Sequence, residues 1–166
     1  VRRSSKVGDY MASRDSFITQ YDKDQIRPRI ALTGATGYVG GRLAPRLLNS
    51  GYTVRCLVRN FQKLSSRHWA DHKRLEKAQT DLRDVGILTQ ALSGCQVAYY
   101  MVHSMISAGG EYEHIDHLLA SNFAKAAEAA GIERIIYLGG LRENHDELSE
   151  HLRSRHKVCL LYTSDA

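Results

Sequence analysis

The stretch that most constrains the fold is Thr33-Gly34-Ala35-Thr36-Gly37-Tyr38-Val39-Gly40. It follows a short apolar run, Ile30 to Leu32, and opens a segment with helical spacing. A strand, a glycine turn and a helix N-terminus in that order make a cradle for a phosphate. Glycine removes the Cβ that would hold a pyrophosphate away from the backbone. The unpaired N–H groups of a first helical turn point at the anion, and the helix dipole favours its charge. The spacing is G-x-x-G-x-x-G rather than G-x-G-x-x-G. Three glycines can equally fill a surface turn, but their place between strand and helix favours dinucleotide binding.

The rest of the chain repeats this alternation. Arg29 to Thr33 reads as a buried strand bounded by Pro28 and Gly34. A helix is predicted from Tyr38 to Ser50, with Leu43, Leu47 and Leu48 inward and Gly51 at its end. Pro45 removes one donor within it and predicts a bend near residue 41. Tyr52 to Val58 is a second strand, and Phe61 to His72 a helix with Leu64 and Trp69 inward. Leu75 to Thr80 is a third strand, too charged to be central. Asp84 caps a helix that reaches Leu92. Val97 to Val102 is a fourth strand, apolar throughout as if buried on both faces. Glu111 to Ala130 is the longest helix, Ile135 to Leu138 a fifth strand, and Leu148 to Val158 begins another helix.

Strands and helices alternating at these lengths predict a Rossmann-like α/β fold, a doubly wound parallel sheet in a three-layer α/β/α arrangement. Right-handed crossovers give the strand order 3-2-1-4-5. The order reverses between strands 1 and 4, so a ligand is expected there, outside the strand C-termini. Residues after the strands line that edge: Gly34–Gly40, Arg59–Asn60, Asp81–Leu82, His103–Ser104 and Gly139–Gly140.

A length of 166 residues suits one domain. Residues 1–28 read as a polar, mobile lead-in, residues 29–158 as the nucleotide-binding domain, and residues 159–166 as a non-native tail. The net charge of +5 raises the question of nucleic acid, but the basic residues are scattered and no basic stripe interleaves with aromatics. No nucleic-acid partner is expected. The longest apolar run is too short to span a bilayer, and no signal peptide is evident, so membrane association is not indicated. Three cysteines, Cys56, Cys95 and Cys159, show no metal spacing and no disulfide framework. A cytoplasmic location is the default.

Among the lining residues Arg59 is the most informative. An NAD site usually places a carboxylate at the end of strand 2 for the ribose 2′-OH. Here Val58-Arg59-Asn60 occupies that corner, and a guanidinium can take the 2′-phosphate of NADP. A solvated loop arginine is the alternative. NADP(H) is therefore the preferred cofactor, with NAD(H) also open. Asp81 can accept from an adenine amino group, with Leu82 beside the base; Asp84 suits the helix cap better and leaves Asp81 free. His103 and Ser104 fall where the nicotinamide ribose would lie, where a histidine can bind substrate, transfer a proton or make a structural hydrogen bond. His114 and His117 share one helical face, and His68 and His72 another; two ligands without a third make a poor metal site, so no metal is expected.

With these residues in place, the chain resembles the short-chain dehydrogenase/reductase superfamily, in its atypical NmrA-like branch of NAD(P)-binding proteins. The carrying motifs are Thr33 to Gly40, Val58-Arg59 and Asp81-Leu82-Arg83-Asp84. Tyr137-Leu138-Gly139-Gly140-Leu141 and Leu148-Ser149-x-His151-Leu152-x-Ser154-Arg155 resemble a bacterial subgroup with multidomain or membrane-associated relatives. The resemblance covers about residues 29–158. Active relatives carry a serine at the end of strand 5 and a Tyr-x-x-x-Lys pair on the next helix, where the lysine lowers the tyrosine pKa. Here the strand ends in Gly139-Gly140, the helix offers His151-x-x-x-Arg155, and no Tyr-x-x-x-Lys occurs in the chain. Either His151 or His103 takes the acid's place, or the cofactor is bound without turnover. The resemblance thus implies an NADP-dependent oxidoreductase acting on a small molecule, or a non-catalytic NADP-sensing regulatory or assembly module. Cys159 to Ala166 resembles a translated sequencing adapter, which makes the domain a C-terminally truncated fragment.

Overall fold

The computed structural model describes residues 27–102 and 112–139. Its elements run β1 (Arg29–Thr33), α1 (Tyr38–Asn49), β2 (Thr53–Val58), α2 (Phe61–Ser65), β3 (Leu75–Gln79), α3 (Val85–Leu92), β4 (Val97–Tyr100), α4 (Tyr112–Ala129) and β5 (Arg134–Tyr137). The strands form one sheet in the order β3-β2-β1-β4-β5, and every pairing is parallel. This is the doubly wound Rossmann-like order that the alternation predicts. The lead-in up to residue 26, His103, Ser104, Gly140, the helix expected at 148–158 with His151, and the tail at 159–166 lie outside the described residues.

Side chains alternate across each strand, so the sheet divides its apolar residues between two cores. Ala31, Leu57, Ala98 and Tyr100 face α3 and α4, packing with Leu88, Leu92, Phe123 and Ala126. Leu32, Val54, Cys56 and Val58 face the other way, packing with Ala44 and Leu48 of α1 and with Leu64 and Trp69. Tyr100 and Phe123 meet with ring centroids 4.9 Å apart. Burial pushes the Cys56 thiol up to about 12, opposed by Lys77. It also raises Cys95, against Arg55 and Arg29.

The charged third strand is at the sheet edge, where its pattern belongs. Glu76 on it pairs with Arg29 of β1 at 3.0 Å and with Arg55 of β2 at 2.7 Å. The Arg55 guanidinium also donates to the carbonyls of Ala91 and Ser93, and that of Arg29 to Gly94. These arginines satisfy carbonyls at the C-terminus of α3, where a cation suits the helix dipole. The cluster stands at the N-terminal end of the strands, opposite the expected ligand edge.

Several boundaries differ from the sequence expectation. The helix expected from Phe61 to His72 stops at Ser65. Ser65 and Ser66 hydroxyls donate back to the carbonyls of Phe61 and Lys63, an alternative to helical bonding. Tight turns follow, with Arg67 N–H on Leu64, Ala70 on Arg67 and His72 on Trp69. Leu64 and Trp69 still point inward. The fourth strand stops at Tyr100 rather than Val102, and its residues alternate between half-buried and buried instead of being buried on both faces. The cause is at Thr33, described below. The fifth strand runs from Arg134 to Tyr137, one residue earlier than expected. The first helix continues through Pro45.

Candidate functional site

The site begins where β1 ends. Thr33 is buried, and its hydroxyl donates to the Tyr99 carbonyl at 3.1 Å while accepting from the Met101 N–H at 2.9 Å. A side chain thereby takes over the β1–β4 ladder where the backbone pairing ends at Leu32–Tyr99. With its N–H held by a hydroxyl, Met101 leaves the strand, which explains the short β4. The seam between β1 and β4 is the point where the strand order reverses.

Gly34 follows with φ +68°, a left-handed conformation that suits glycine. A Cβ there would stand 2.6 Å from the Met101 carbonyl oxygen and 3.0 Å from its carbon. The turn therefore presses directly on the end of β4. The Gly37 N–H donates to the Gly34 carbonyl at 2.9 Å. Gly40 packs on the same peptide from within α1: its Cβ would clash with the Gly34 carbonyl oxygen and stand 2.7 Å from the carbon. The first and third glycines close the loop on itself; only the second, Gly37, is exposed.

Gly37 is the N-cap of α1 and offers no side-chain cap. The caps of α2 and α3 differ. Asn60 accepts from Gln62 N–H at 2.7 Å, and Asp84 accepts from Ile87 N–H at 2.9 Å. The first turn of α1, Tyr38 to Gly40, thus keeps its N–H groups for another acceptor. Gly34, Gly37, Tyr38, Val39, Gly40, Met101 and Leu138 line an open cleft of about 160 Å³. Tyr38 is 78% exposed, with the Arg42 guanidinium 3.8 Å from its ring centroid.

Of the other expected lining residues, the described ones, Arg59–Asn60, Asp81–Leu82 and Gly139, follow β2, β3 and β5 on the same edge. Arg59 follows β2 and is exposed. Its carbonyl accepts from Gln79 at 3.3 Å, and among the described residues its guanidinium makes no hydrogen bond or ion pair. Asp84 caps α3 as expected, but Asp81 is not wholly free: one carboxylate oxygen accepts from the Arg83 N–H at 3.0 Å. Among the described residues the second oxygen has no hydrogen-bond partner. Leu82 is half-buried against the α3–α4 core. Asn122 of α4 donates to the Leu82 carbonyl at 3.2 Å and so fixes this loop from the neighbouring helix.

Sequence reasoning missed Met101, Leu138, Asn122 and Arg67. Met101 and Leu138 directly follow β4 and β5, so the topology alone placed them on this edge. Asn122 and Arg67 act across tertiary contacts that no local pattern marks. Among the described residues, no group of three His, Cys, Asp or Glu side chains is placed to hold a metal. His72 instead accepts from the Arg74 N–H at 3.1 Å. Among the described residues, no helix is long and apolar enough to cross a membrane.

A parallel doubly wound sheet with a glycine cradle and an uncapped helix at its switch point defines a nucleotide-binding α/β protein. The chain belongs to the NAD(P)H-binding family, whose model matches residues 34–162. It is similar to a bifunctional dihydroflavonol 4-reductase/flavanone 4-reductase of Pyrus communis, with 36% identity over 46% of this chain and 23% of that protein. In structure it is similar to an NADPH-dependent quinone oxidoreductase from Escherichia coli solved with NADPH. That likeness has a TM-score of 0.65 and 24% identity, over 80% of this chain and 44% of the other. A mutant of NmrA matches with a TM-score of 0.57 and 25% identity, over 68% of this chain and 33% of that one. The chain spans only about a quarter to a third of the curated relatives it matches, 23% of the Pyrus reductase and 35% of a Petunia cinnamoyl-CoA reductase.

Proposed function

We propose that this chain is the cofactor-binding part of an NADP(H)-dependent oxidoreductase of the atypical short-chain dehydrogenase/reductase type. The observation that carries the reading is the corner after β2. An exposed arginine, Arg59, stands there, unpaired among the described residues, and no carboxylate takes its place. The residues present fit the cofactor: Gly34 and Gly40 leave no room for a Cβ, and the first turn of α1 has no side-chain cap. Gly34, Ala35, Thr36, Gly37, Tyr38, Val39 and Gly40 would hold the pyrophosphate, Arg59 the 2′-phosphate, and Asp81 with Leu82 the adenine. When bound, NADP(H) supplies or accepts a hydride. The reductase names of the relatives, and the NADPH held by the quinone oxidoreductase, support this chemistry.

Replacing Arg59 tests the assignment. Arg59→Ala should weaken NADPH binding tenfold or more, as expected for the loss of about 1.5–3 kcal/mol from a charged hydrogen bond, and leave NADH binding unchanged. An equal effect on both cofactors would remove Arg59 from the 2′-phosphate.

A second reading, a regulatory module that binds NADP(H) without turnover, is favoured by one observation. Gly139-Gly140 stands where active relatives of this type carry serine, and the chain has no Tyr-x-x-x-Lys pair. Proton transfer would then rest on His103 or His151. A carbonyl and enone screen of wild type, His103→Ala and His151→Ala separates the two readings. Turnover lost in one histidine variant supports the oxidoreductase; no turnover by wild type, with binding intact, supports the module.

A further inference from the structure

We infer that Arg67 is a positioning residue for the nucleotide loop, holding the Thr36–Gly37 peptide so that the first turn of α1 faces a bound phosphate. The inference rests on the cofactor reading above and adds a residue to it. Arg67 is distant in sequence from the loop, yet its Nη2 donates to the Thr36 carbonyl. The same peptide is held from its other side, because the Gly37 N–H donates to the Gly34 carbonyl at 2.9 Å. The peptide that leads into the N-cap is thus fixed at both polar atoms.

The arginine is itself anchored. Its N–H donates to the Leu64 carbonyl at 3.0 Å, and its carbonyl accepts from the Ala70 N–H at 2.9 Å. Leu64 and Trp69, on either side, are buried in the same core as Ala35 of the loop. Gly41 gives the guanidinium its place: a Cβ at that position would stand 3.3 Å from Arg67 Nη1 and 3.5 Å from Cζ. The second glycine of the Gly40–Gly41 pair therefore makes room for Arg67, while the first packs on the loop.

Charge explains why this is a ligand device and not merely a brace. A cation beside a helix N-terminus opposes the helix dipole, and proteins ordinarily place cations at the other end. Arg29 and Arg55 follow that rule at the C-terminus of α3. Arg67 breaks it beside the start of α1, which lacks the side-chain cap that α2 and α3 carry. A bound anion relieves the conflict, since it is attracted by both the guanidinium and the exposed N–H groups.

The test uses the full chain, wild type, Arg67→Ala and Arg67→Lys, titrated with NADPH and with NADH. Both substitutions should weaken the two cofactors by the same factor, about tenfold for Arg67→Ala. Millimolar guanidinium should restore part of the affinity of Arg67→Ala. Amide exchange at Gly37 without nucleotide should speed up about tenfold, while the melting temperature stays close to wild type. Arg67→Lys is the milder variant should alanine prevent folding. Unchanged affinities would overturn the inference, as would a loss confined to NADPH, which would make Arg67 a 2′-phosphate contact instead. If wild type binds neither cofactor, the cofactor reading fails by itself. Exchange at Gly37 then still decides whether Arg67 sets the loop, and unchanged exchange overturns it in every case.

Discussion

Of the four left-handed glycines among the described residues, two differ most in what surrounds them, which isolates the contact that builds the site. Gly34 has φ +68° and Gly131 has φ +72°. A Cβ at Gly131 meets nothing within 4 Å, whereas at Gly34 it stands 2.6 Å from the Met101 carbonyl oxygen. Gly131→Ala should therefore incur the conformational term alone, about 1–2 kcal/mol. Gly34→Ala should incur the same term plus about 1–3 kcal/mol for forcing a methyl group against backbone, hence about 2–5 kcal/mol in all. Urea unfolding followed by tryptophan fluorescence measures both. The chain has a single tryptophan, Trp69, and it is buried in the core that includes Ala35 of the loop. With a slope of about 1–3 kcal/mol per molar urea, the two midpoints should differ by roughly 1 M. Equal losses would refute the close approach of the glycine turn to β4. Gly34→Ala should also lose nucleotide binding, and Gly131→Ala should keep it.

Thr33→Val removes the hydroxyl that joins Tyr99 to Met101 and leaves a donor and an acceptor unpaired. It should cost about 2–4 kcal/mol in urea unfolding, with Thr33→Ser milder because the hydroxyl stays. Asp84→Ala should cost about 1 kcal/mol by the same assay, from the lost cap on the Ile87 N–H. Cys56 gives a pH dependence: its thiol rises from 9.0 to about 12 in the folded chain. Its contribution is fully present below pH 9 and falls by about 1.4 kcal/mol per pH unit until pH 12, because the unfolded chain loses the proton first. The stability difference between wild type and Cys56→Ala should shift with that slope above pH 9 and stay flat below it. A flat difference throughout would contradict the burial of this thiol.

Residues with local causes were readable from the sequence. The glycine loop declared itself by lying between an apolar run and a helix, and Asp84 by its place before Val85. The excess charge of Leu75 to Gln79 put that strand at the edge, where among the described residues it pairs only with β2. Tertiary effects were hidden. Val102 reads as strand, because nothing local shows that Thr33 takes the Met101 N–H. Ser65 and Ser66 bond back to Phe61 and Lys63 where the second helix ends, while the apolar spacing through Leu64 and Trp69 runs on past them. Asp81 is a local exception: its carboxylate accepts the Arg83 N–H two residues on, a turn that aspartate commonly makes. Arg67 had no signal at all, since its partner Thr36 is reached only through the fold.

A cradle for NADP(H) built from the loop Thr33 to Gly40, with Arg59 beside it, must bind the dinucleotide in solution. Calorimetric titration of the full chain with NADPH and with NADH tests it most directly. Both should bind, with NADPH at least tenfold more tightly, the margin a charged contact to the 2′-phosphate supplies. Equal affinities would contradict the role of Arg59, and no binding of either would contradict the cradle.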